Sequence, residues 1–167
     1  SLQSSEPSAQ PAASPAVLSP SKPRTGAIIL TRHGEPALSR KGRLSAREYG
    51  EWWGRYEVGG LRAGQTPPAA LLAAAEGAGA IYASPRQRAQ ETASAVAAGR
   101  EVMSDALFIE APLPPPPFPD WIRLSPRTWG GVSRFWWHVF NHHGGQETRL
   151  EAEARARRAA AVLIRRA

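Results

Sequence analysis

Cysteine is absent from all 167 residues. That excludes disulfides, thiolate catalysis and every cysteine-based zinc or iron–sulfur site. Lysine is almost as scarce: among 21 basic residues only Lys22 and Lys41 are not Arg, and Asn141 is the only asparagine. Long apolar runs are also missing. The longest, Pro67 to Ala83, is mostly Ala and Gly and is interrupted by Glu76, so it falls short of the roughly 18 apolar residues that mark a membrane helix. No secretory leader is recognisable either, because residues 1–24 have no basic stretch running into an apolar one. The expectation is a soluble, cytoplasmic protein with no membrane partner.

What is present in quantity is arginine, proline and glycine. The formal net charge is +7, a balance that raises the question of nucleic acid. The Arg residues are scattered instead of clustered, and no nucleic-acid motif accompanies them. An anionic substrate such as a phosphate ester explains part of the charge more directly, and nucleic acid is not an expected partner. Nothing in the sequence bears on oligomeric state.

Residues 1–24 hold five Pro, seven Ser and no aromatic. Such a composition cannot bury enough surface to offset the entropy of ordering, so this stretch is expected to be a disordered tail and residues 25–167 a single domain. Ala27-Ile28-Ile29-Leu30-Thr31 reads as a short strand buried on both faces, followed by the loop Arg32-His33-Gly34-Glu35-Pro36. Ser45 opens a helix to about Tyr56, whose Tyr49, Trp52, Trp53 and Tyr56 repeat at helical spacing and predict core packing. A second helix is expected within 68–76. Ala80-Ile81-Tyr82-Ala83 is a second strand, leading into a helix with Ser84 as N-cap, Gln87 completing a capping box and Gly99 as C-cap.

Leu107-Phe108-Ile109 is a third strand-like run ending at Glu110 and a proline-rich stretch. The aromatic-rich segment 120–143 is expected to contain a helix capping the sheet. Thr148 and Glu151 form a capping box for a last helix, with the pairs Glu151–Arg155 and Glu153–Arg157 one turn apart. Strand–helix alternation of this kind predicts an α/β fold with a mostly parallel central sheet flanked by helices.

Ligands of such sheets bind beyond the carboxyl ends of the strands. There the sequence places Arg32 and His33 after the first strand, Arg88 in the helix after the second, and Glu110 after the third. A neutral imidazole can carry a phosphoryl group covalently. Two guanidinium forks suit its non-bridging oxygens, and a carboxylic acid can protonate a leaving oxygen. The residue types alone also permit ordinary loop and surface roles for all four.

The string Leu30-Thr31-Arg32-His33-Gly34-Glu35 resembles the signature of the histidine phosphatase superfamily, with its phosphoglycerate-mutase-like fold. Independently, Ala83-Ser84-Pro85-Arg86-Gln87-Arg88-Ala89-Gln90-Glu91-Thr92-Ala93 resembles that family's S-P-x-x-R-A-x-(E/Q)-T-A helix start. The resemblance spans about residues 26–167 and is detailed only at the two motifs. It implies that His33 is the nucleophile that becomes phosphohistidine and that Arg32 and Arg88 bind the phosphoryl group. It implies Glu110 as proton donor, and it puts Ser39 where some members carry a phosphate-contacting Asn. It implies no metal and no organic cofactor. The activity implied is hydrolysis of a small-molecule phosphomonoester or a phosphoprotein.

The resemblance also implies a second His, in a late strand ending in His-Gly after a long helix that opens near Gly-Gly-Glu. Gly144-Gly145-Gln146-Glu147 resembles that opening, and the helix after it occupies the residues up to Ala167. The expectation is therefore a domain incomplete at its C-terminus, without that strand. His143, followed by Gly144-Gly145, is the candidate replacement, although the helix that should precede it follows it. The alternative to an active phosphatase is a catalytically impaired or non-catalytic phosphate-binding module.

Overall fold

The computed structural model describes residues 26–167; the Ser/Pro/Ala-rich stretch 1–24 lies outside them. Five α-helices, one 3₁₀ turn and a two-stranded parallel sheet make up the described residues. Two packed bodies carry the elements. The first is aromatic. Helix α1 (Ala46–Val58) starts where Ser45 and Glu48 close a capping box, the Ser45 hydroxyl accepting from the Glu48 amide and the Glu48 carboxylate from the Ser45 amide. Its buried face is Ala46, Tyr49, Trp52 and Tyr56, one apolar stripe at helical spacing.

Helix α4 (Pro126–Phe140) brings Trp129 against that stripe, fully buried, stacked on Tyr49 at 5.9 Å and flanked by Phe118 at 5.7 Å. The Trp129 indole N–H donates to the Leu44 carbonyl at 2.6 Å, and Leu44 pairs with Leu124 through two backbone bonds. The helix expected in 120–143 therefore packs on α1, not over the sheet. Burial pushes the Tyr49 phenol up to about 12, with the Glu110 charge adding to it.

The second body is α/β. Helix α2 (Ala69–Glu76) lies on α3 (Gln87–Ala97), and β1 (Tyr82–Ala83) pairs in parallel with β2 (Met103–Ser104). Helix α5 (Arg149–Arg166), capped by Thr148 and Glu151, packs on the 3₁₀ turn Ala106–Phe108. Among the described residues no helix is long and apolar enough to cross a membrane.

Four further sequence expectations are corrected. First, Ala27–Thr31 is not a strand: Ile28, Ile29 and Leu30 are exposed, Leu30 to 83%. A strand buried on both faces needs neighbours hydrogen-bonded at its edges, and among the described residues none pairs with this one. Second, the partner of β1 comes before Leu107-Phe108-Ile109. The Asp105 carboxylate accepts from the Leu107 amide at 2.9 Å and folds that run into the 3₁₀ turn.

Third, Ser84 does not cap α3. Pro85 has no N–H to donate and Arg86 stays extended, so the helix begins at Gln87. Gln87 is then the first helical residue, too early for a capping box, and its side-chain Nε2 donates forward to Glu91 Oε1 at 2.8 Å. At the other end Ala98, at φ 50°, takes the left-handed cap position one residue before Gly99. Fourth, Glu153–Arg157 forms at 2.7 Å, but Arg155 turns away from Glu151 to Glu147 and to the carbonyls of Leu107 and Ile109. The Glu151 carboxylate is already held by the Thr148 amide.

Candidate functional site

The loop Arg32–Pro36 hangs between α3 and the segment 60–65. The Gly34 amide donates to the Thr92 hydroxyl of α3 at 3.0 Å, and that hydroxyl donates to the Arg88 carbonyl at 2.8 Å. The Glu35 amide donates to the Gln65 side chain at 2.8 Å, and Arg62 donates both its amide and its guanidinium to Glu35. A Cβ on Gly34 would lie 2.7 Å from the Gln65 Oε1 that holds this turn, so a larger residue there would displace the Gln65 side chain from the Glu35 amide.

His33 is half-buried in this loop. Its Nδ1 contacts the Gly34 carbonyl at 2.7 Å, and its Nε2 contacts the Tyr56 hydroxyl at 3.1 Å. A carbonyl only accepts, so Nδ1 carries the proton of the neutral ring and Nε2 presents its lone pair. Burial lowers the His33 pKa from 6.5, and the charges of Arg88 and Arg32 lower it further. The hydrogen bond to Gly34 and the charge of Glu110 oppose them without reversing the direction. These influences together favour the neutral imidazole.

Arg88, in the first turn of α3, is 2% exposed. Its Nη1 donates to the Tyr56 and Glu57 carbonyls at the end of α1, at 3.0 and 3.3 Å, where the helix dipole favours a cation. Its Nη2 lies 3.6 Å from Glu110 Oε2, and its Cζ sits 4.2 Å over the Tyr56 ring. Glu110 follows the 3₁₀ turn, with its side chain 44% exposed. His33, Arg88 and Glu110 thus converge from three segments far apart in sequence.

Arg32 is exposed and shares with His33 an open cleft of about 600 Å³, walled by Leu38, Ser39, Arg40, Lys41 and Arg62. The Ser39 hydroxyl accepts from the Lys41 amide at 3.2 Å, and the Ser39 carbonyl is held by the Trp52 indole at 3.0 Å. His143 is elsewhere. It follows α4 in a loop docked on the proline run, where His142 Nε2 contacts the Pro115 carbonyl at 3.1 Å. His143 neither lines the cleft nor acts on the charge of His33. Among the described residues no three or more His, Asp or Glu side chains gather to hold a metal ion.

Two residues of the site escape sequence reading. Tyr56 has the spacing of a core aromatic and is one, yet its hydroxyl reaches the imidazole. Nothing in a hydrophobic period marks a polar tip. Thr92 belongs to the quoted helix-start string, and its place one turn after Arg88 is the signal that it faces the same loop.

Comparison with known proteins gives one match. The model of the histidine phosphatase superfamily (branch 1) matches residues 28–167. No curated protein and no solved structure matches the chain.

Proposed function

Since the chain belongs to the histidine phosphatase superfamily, whose activity is of the phosphatase or mutase type, we propose that it hydrolyses phosphomonoesters through a phosphohistidine on His33. One observation carries the reading: the Gly34 carbonyl holds the ring proton on Nδ1, which leaves Nε2 as the unprotonated nitrogen of a histidine that lines a cationic cleft. Nε2 attacks phosphorus and the N–P bond forms as the ester P–O bond breaks. The leaving oxygen takes a proton from the Glu110 carboxylic acid. Water then attacks phosphorus, its proton passes to the Glu110 carboxylate, the N–P bond breaks and inorganic phosphate departs. Arg32 and Arg88 hold the non-bridging oxygens and stabilise their growing charge.

The substrate is a small phosphomonoester or a phosphoprotein side chain, consistent with an open cleft. The parallel pairing of β1 and β2 among helices is consistent with the α/β character of a phosphoglycerate-mutase-like fold.

A second reading rests on a different observation. Among the described residues no second imidazole stands beside His33, and Arg88 is already engaged by two carbonyls and Glu110. A phosphate-binding module without turnover would look like this. Hydrolysis of p-nitrophenyl phosphate, with acid-quench-sensitive labelling of the protein by a ³²P-ester, separates the two. The expected result is turnover and label in the wild type and neither in His33→Ala. Binding of inorganic phosphate without turnover or label would establish the module instead.

A further inference from the structure

Tyr56 touches both halves of the proposed machinery. Its hydroxyl is 3.1 Å from His33 Nε2, the atom that would attack phosphorus. Its ring lies under the Arg88 guanidinium at 4.2 Å, and its own carbonyl accepts from Arg88 Nη1 at 3.0 Å. No other described residue bonds to both side chains.

The ring has little freedom to leave this place. Tyr56 is 4% exposed, stacked on Trp52 at 5.2 Å and packed on Trp53 at 5.2 Å. The rings of Tyr56 and His33 meet edge-on, at 60°. A hydroxyl so held can turn its hydrogen at small cost while its oxygen stays in place. The cation over the ring draws electron density from the phenol and favours donation over acceptance.

We propose that Tyr56 is the positioning residue of this site. It fixes the His33 imidazole at a second point, donates to the Nε2 lone pair in the free protein, and registers that lone pair against the Arg88 guanidinium. With Nδ1 held by Gly34 and Nε2 by Tyr56, the ring cannot rotate about its bond to the chain without breaking one contact. Phosphorus needs the same lone pair, so the bond from the hydroxyl to Nε2 breaks as phosphorus approaches, and the freed hydroxyl donates instead to an incoming phosphoryl oxygen. This rests on the phosphatase reading for its catalytic consequence, but the hydrogen bond itself is independent of it.

Tyr56→Phe is the test, because it keeps the ring, its stacking, the cation over it and the backbone carbonyl. The groups that face His33 are Arg32 from its own loop, Arg88 from α3, Glu110 from the segment after the 3₁₀ turn and Tyr56 from α1. The variant alters only the last. Two readouts are taken on protein whose near-UV circular dichroism matches the wild type. A ¹⁵N NMR titration of His33 is expected to move up by about half a unit to one unit, the worth of one neutral hydrogen bond to the unprotonated ring. The kcat for p-nitrophenyl phosphate is expected to fall about 10- to 100-fold, with KM changed little, as misalignment of a nucleophile requires.

An unmoved titration overturns the proposal even if kcat falls, since a structural lesion alone would do that. An unchanged kcat overturns it even if the titration moves. If the wild type neither turns over nor takes up label, the phosphatase reading fails separately. The titration then decides alone whether Tyr56 holds His33.

Discussion

At His33 burial, the hydrogen bond to Gly34 and the charges of Arg88, Arg32 and Glu110 set the protonation state. Burial is the largest influence holding its pKa below 6.5, followed among the lowering causes by the charges of Arg88 and Arg32. The unfolded chain therefore takes up a proton just below pH 6.5 where the folded protein still resists it. Stability tied to a neutral His33 is complete above 6.5 and is lost as the pH falls through the folded value. Thermal unfolding from about pH 7 to about pH 5 is expected to show a steeper loss of Tm in the wild type than in His33→Gln. Parallel curves would mean that folding does not depress this group. The same environment favours the unprotonated form of the proposed nucleophile, so the proposed chemistry and this part of stability would share one titration.

Among elements, α1 is the one on which the site leans. Its C-terminal carbonyls receive Arg88, its Tyr56 hydroxyl meets His33, and its Trp52 indole holds the cleft wall at Ser39. The helix is itself fixed by Trp129 of α4, buried against Tyr49. Trp129→Ala removes a large aromatic from a site with no solvent access, and leaves the Leu44 carbonyl without its indole donor. Urea unfolding should show a loss of about 3–5 kcal/mol. A loss under about 1 kcal/mol would mean that α4 is not anchored there. The capping box of α5 and the opening of α1 at Ser45 were legible in sequence because their partners lie within one turn. The start of α3 was not. A Ser-Pro pair imitates a cap, but Arg86 stays extended and delays the helix to Gln87.

At the scale of the molecule, the two packed bodies meet at the site. Arg88 and Thr92 of the α/β body reach the end of α1 and the His33 loop respectively. The segment leading into that loop is held far less. Among the described residues no acceptor takes the amides of Ala27 to His33, and Ile28, Ile29 and Leu30 face outward. An apolar stretch with open edges is a template for pairing with another strand. Hydrogen exchange is expected to be fast at Ile28–Thr31 and slow at Tyr49–Tyr56, where backbone bonds and burial coincide. Protection of Ile28–Thr31 equal to that of α1 would show that the segment is paired in solution.

The sequence by itself determined what depends on neighbours along the chain. The aromatic stripe of α1, its opening at Ser45, the Thr148–Glu151 capping box, and the order of Arg32-His33-Gly34 before Ser84-Pro85 and Arg88 are all readable without coordinates. Those motifs suffice to mark the superfamily, which the match over residues 28–167 shows. The pairing of β1 with β2, and the lack of a partner for Ile28–Thr31, needed the tertiary structure. A run of Ile and Leu states a capacity for strand pairing, whereas a strand exists only when another segment completes its edge. The same holds for the site. The bonds from Tyr56 to His33, from Arg88 to Tyr56 and from Gly34 to Thr92 span 23, 32 and 58 residues. No periodicity encodes contacts at such separations; packing brings them together, and with them the imidazole's protonation and the direction of its lone pair.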